Sequence, residues 1–66
     1  MIRTQAIALI QRLVRAEVEV MKRCNSASGR ITKKVLAEER AAAANIFREL
    51  TGDDPGTEEV ADMVSL

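Results

Sequence analysis

Between residues 2 and 20 the apolar side chains return at steps of four, three, four, three and four: Ile2, Ala6, Leu9, Leu13, Ala16, Val20. That spacing is the heptad period of a helix packed lengthwise on another helix, and a strand, with its period of two, does not produce it. A second row runs beside the first through Ile7, Ile10, Val14 and Met21. At about 100° per residue the two rows cover roughly half of the helix circumference. Thr4, Gln5, Gln11, Arg12, Arg15, Glu19, Lys22 and Arg23 fill the rest. A first helix from about Thr4 to Cys24 is therefore predicted. An apolar arc that wide needs more than one neighbour: a partner helix of the same chain on one flank and a second chain on the other.

Asn25-Ser26-Ala27-Ser28-Gly29 breaks the pattern. Lys22 and Arg23 suit the negative end of the first helix dipole, and a loop of this length joins antiparallel helical neighbours. A second helix is predicted from about Ile31 to Leu50, with Ser28 or Thr32 as its N-cap. Its apolar positions are Ile31, Val35, Leu36, Ala42, Ala43, Ile46, Phe47 and Leu50. Gly52 stands where a C-terminal glycine belongs, and Pro55 prevents continuation. After the Asp53-Asp54-Pro55-Gly56 turn, Thr57 is placed to cap a short third helix through about Met63. Val60, Met63 and Val64 form its narrow apolar stripe, which can fold back on the other helices, pair in a dimer or fray.

The expected fold is all-α. It is an antiparallel two-helix hairpin over residues 1–52, followed by an acidic turn and a short helix or tail over 53–66. A core from 66 residues is marginal, because apolar burial and conformational entropy nearly cancel in a chain this short. The lone cysteine, Cys24, cannot form an internal disulfide. One cysteine and no histidine do not make a structural zinc site. Self-association remains, so a dimeric helical bundle is expected, with Leu9, Leu13, Val20, Val35, Ile46 and Leu50 at its interface. Cys24 itself reads as a small packed hydrophobe, and a free thiol suits a reducing compartment. With no apolar run long enough to span a bilayer and no signal-like amino terminus, a cytoplasmic protein without membrane contact is expected.

Zero formal net charge hides an asymmetry. Residues 1–34 carry eight Lys or Arg against Glu17 and Glu19, hence +6. Residues 35–66 carry Arg40 and Arg48 against eight acids, hence −6. Arg12, Arg15, Lys22, Arg23, Arg30, Lys33 and Lys34 form a basic surface suited to a partner, or a solvated face. It also fits nucleic-acid phosphates, although no aromatic residue interleaves the basic ones.

Two acids fall on the wrong faces. Glu17 lies inside the apolar arc of the first helix and Glu39 inside that of the second, and an antiparallel hairpin puts them at about the same height. A buried carboxylate is costly unless paired or neutralised. Four arrangements are open: the acids reach a groove edge, they pair with a basic residue of another subunit, they form an anionic socket, or they hold a metal. The stripe Ala37, Ala41 and Ala44 is either exposed helix-forming alanine or a close-contact surface. No catalytic motif and no cofactor site are found.

In plan the chain is similar to the plasmid repressor-of-primer hairpins, with two helices, a short turn and an acidic tail. The similarity is architectural and aligns no recognition residue. The functional expectation is a small, non-enzymatic helical protein of the kind found among phage and plasmid accessory proteins. It self-associates and binds a macromolecular partner as adaptor, regulator or inhibitor. The alternatives are an RNA- or DNA-binding hairpin dimer and a small-ligand sequestering oligomer.

Overall fold

The computed structural model describes residues 1–24 and 32–65, and among them it contains three helices and no strand. The expected turn at 25–29, the Ser28 cap, Arg30 and the start at Ile31 lie outside the described residues, as does the side chain of Cys24. Helix α1 spans Arg3–Cys24, α2 spans Lys33–Thr51 and α3 spans Thr57–Met63, and each packs against the other two. No helix among the described residues is long and apolar enough to cross a membrane.

Local chemistry sets the helix ends. Thr32 caps α2, its hydroxyl accepting the Val35 N–H at 3.2 Å, so the helix starts at Lys33. Gly52 ends α2 in the left-handed region at φ 78°, donating its N–H to the Arg48 carbonyl at 2.8 Å. A Cβ there would meet no atom within 4 Å, so an L side chain brings backbone strain and no clash. Gly52→Ala should therefore cost about 1 kcal/mol in urea unfolding. The expected Thr57 cap is corrected: Gly56 is the N-cap and Thr57 the first helical residue. Glu59 turns back from the first turn of α3 and accepts the Gly56 N–H at 2.7 Å, which serves that end without a hydroxyl cap.

The core is built from Ala6, Ile10, Val14 and Val18 of α1, Ala43 and Phe47 of α2, and Met63 with the adjoining Val64 at the end of α3. Ile7, Leu36, Ile46, Leu50 and Val60 pack against it, half-buried. The chain contacts run in opposite senses along α1 and α2. The Met1 ammonium donates to the Leu50 carbonyl at 3.2 Å, and Glu17 sits beside Glu39. Ala42, read as part of the apolar arc of α2, is exposed.

The buried row of α1 steps by four at every interval, the ridge by which one helix commonly crosses another. It includes Val18, which the apolar rows of the sequence omit. Each step of four turns the row by about 40° away from the heptad stripe. Of that stripe only Ala6 is buried in the protomer.

Candidate functional site

Helix α3 folds back onto one face of the α1–α2 layer. On α1 its position is marked by the Gln11 side chain, which donates to the Asp62 carbonyl at 2.6 Å. A shallow hollow lined by Arg15, Val18, Glu19, Lys22 and Ser65 continues along the same side. On α2 it is marked by a second hollow, which Arg40 lines with Pro55, Thr57, Val60 and Ala61.

Arg3 fastens the other end of α3. Its guanidinium stacks 5.0 Å from the centroid of the buried Phe47 ring, and its Nε donates to Glu59 at 2.9 Å. It also donates to the Asp54 carbonyl and lies 3.8 Å from Asp53. The hydrogen bond from Arg3, joined by the Gly56 N–H, holds the Glu59 carboxyl below its ordinary range. What this pair contributes is present above the ordinary carboxylate range and is lost as pH falls through the lowered value. Arg48 ties down the turn through Asp54.

Among the described residues, none covers the opposite face of the α1–α2 layer. Leu13 lies about 160° around α1 from Gln11, and Val20 the same angle from Val18, so both point away from α3. Along this face Ile2 is 63% exposed, Val20 58%, Leu13 46% and Leu9 40%, with Ala16 exposed between them. The stripe is about 27 Å long at 1.5 Å per residue. On α2, Val35 and Ile46 lie about 120–140° around the helix from Arg40, again away from α3, and both are half-buried, as is Leu50. Of the six residues expected at an interface, Leu9, Leu13 and Val20 are exposed on α1, and Val35, Ile46 and Leu50 are half-buried on α2. Ile46 and Leu50 also contribute to the protomer core.

The two acids stand on the same side. Glu17 is exposed and lines a shallow apolar hollow with Ala16, Val20 and Met21. Glu39 is only 6% exposed and is the one charged residue buried among the described positions. Burial raises the Glu39 carboxyl above its ordinary range. A carboxyl–carboxylate hydrogen bond with Glu17 and repulsion from Glu17 and Glu38 act in the same direction. Ionised Glu39 therefore costs the fold stability at high pH, a cost relieved as pH falls through the raised value. The ion pairs found among the described residues engage Arg3 and Arg48, and none reaches this pair.

The basic residues lie elsewhere. Arg12, Arg15, Lys22, Arg23, Lys33 and Lys34 are all exposed. Lys22 and Arg23 close α1 while Lys33 and Lys34 open α2, so all four share one end of the molecule. Asp53, Asp54, Glu58 and Glu59 gather at the other. In the alanine stripe, Ala37 and Ala41 are exposed and Ala44 is half-buried on the flank of α2 that carries Arg40. No family model, curated protein or solved structure matches this chain.

Proposed function

We propose that this chain is a small, non-enzymatic helical interaction protein. Helices α1 and α2 act as a hairpin, pair with a second copy through the uncovered apolar face to form a four-helix bundle, and present a basic surface to a macromolecular partner.

The observation that carries the pairing is the exposed stripe on α1, which is complementary to itself. Laid antiparallel on its own copy about a twofold axis level with residue 11 on the open face, Ile2 meets Val20 and Leu9 meets Leu13. Exposed apolar side chains of similar size oppose one another, as an interface using the same patch twice requires. The same arrangement sets the basic end of each copy beside the acidic end of the other. A parallel arrangement would superpose like ends and bring four carboxyl groups to one level.

Area points the same way. The molecule measures 39 × 17 × 16 Å between Cα extremes. One long face is of the same order as the ~800 Å² per partner that a standard interface buries. Isotope-filtered NOE spectra of a mixed labelled and unlabelled sample test the arrangement. Methyl contacts between chains are expected from Leu9 to Leu13 and from Ile2 to Val20. Contacts from Leu13 to Leu13 and Leu9 to Leu9 alone would reverse the orientation, and contacts confined to α3 would refute the face.

For the partner, we read the exposed basic residues as a docking surface for acidic groups of another protein, in the manner of an adaptor, regulator or inhibitor. Base stacking is not available to them, because Phe47, the only aromatic residue, is fully buried.

A further inference from the structure

We propose that pairing of two copies is gated by a proton held between Glu39 and Glu17, so that the chain associates more tightly in mildly acidic solution than at neutral pH. This rests on the pairing proposed above and names its regulation.

The two carboxyl groups come from different helices and meet at the edge of the face that a second copy would cover. Glu39 is already 94% removed from solvent in the single protomer, whereas Glu17 is still open to water. Closing the face removes that water. Two ionised carboxylates then repel each other in an apolar seam, while one shared proton turns the repulsion into a hydrogen bond. The paired state therefore takes up protons more readily than the single chain, and by linkage a fall in pH drives pairing.

The charged groups acting on Glu39 are Glu17 from α1 and Glu38 from its own helix, both of the same sign. Helix α3 contributes apolar Met63 and Val64 to the core, while its Glu59 is engaged with Arg3. No histidine titrates in the same interval. The Glu59 carboxyl, held low by Arg3, remains ionised throughout it.

Sedimentation velocity on the intact chain at about pH 5.5 and about pH 7.5, with circular dichroism verifying the helices at both, tests the gate. The dimer Kd is expected to be roughly tenfold or more lower at the acidic pH. Glu39→Gln keeps a hydrogen bond to Glu17 without a charge and should pair tightly at both values. Glu17→Gln, on the exposed side where the fold tolerates change, should flatten the pH response as well. An unchanged or inverted pH dependence in the natural chain overturns the gate but leaves the pairing intact. A monomer at both pH values overturns the pairing and the gate together. A Glu39→Gln chain that retains the natural pH response assigns the proton elsewhere and also overturns it.

Discussion

Phe47→Ala is expected to unfold most of the protein at physiological temperature. Phe47 is the largest fully buried side chain. Truncating a buried Phe to Ala removes about 3–5 kcal/mol. A chain of 66 residues holds only about 3–10 kcal/mol in total. The ring has a second task, because the Arg3 guanidinium that binds Glu59 and the Asp54 carbonyl stacks on it. Losing the ring thus opens a cavity beneath the helices and loosens the fastening of α3. Helical circular dichroism should collapse, with any remaining transition moved to much lower urea. A fall of less than about 1 kcal/mol would mean that Phe47 is not the centre of the core.

Leu13→Asp is expected to do the opposite: leave the helices standing and abolish pairing. Leu13 is 46% exposed in the protomer and lies beyond the buried row of α1. Its replacement therefore removes little from the protomer core, and surface substitutions of this kind usually change stability by no more than about 0.5 kcal/mol. In the proposed bundle it sits close to the twofold axis against the partner's Leu9. Each dimer would then bury two carboxylates without counter-charge, and desolvating such groups costs several kcal/mol. The dimer Kd should rise by roughly a hundredfold or more, since every 1.4 kcal/mol is about tenfold. Equal loss of helix and of pairing would instead place Leu13 in the protomer core.

The parts of the molecule legible in the sequence were those decided locally. The period of α1 follows from one continuous run of sequence, and Thr32 as one of two candidate caps, the C-terminal Gly52 and the interruption at Pro55 each follow from one or two residues. The meeting of Glu17 and Glu39 was also legible, because an apolar arc interrupted by an acid is visible on a helical wheel and two opposed helices share a level. Depth was less so. A wheel treats both carboxyl groups alike, but Glu39 is buried and Glu17 is exposed. The side from which a neighbour approaches was not visible either. The heptad stripe through Leu9 and Leu13 is more regular than the row through Ile10, Val14 and Val18, but the latter forms the core. The choice is made by α3, whose Met63 and Val64 fill the side of α1 nearest Val18. Seven residues of α3 could cover only one flank of a wide apolar arc. The flank they leave open is the one with the heptad period. For Thr57 the local rule was outcompeted by Glu59, which reaches back to Gly56 from one turn ahead.

Sedimentation velocity on the intact chain at micromolar concentration is the most direct test of a second copy covering the open face. The expected result is a species of twice the 7.2 kDa chain mass. Leu13→Asp, with undiminished helix, should sediment at the single-chain mass. A folded natural chain that remains at 7.2 kDa would contradict the account.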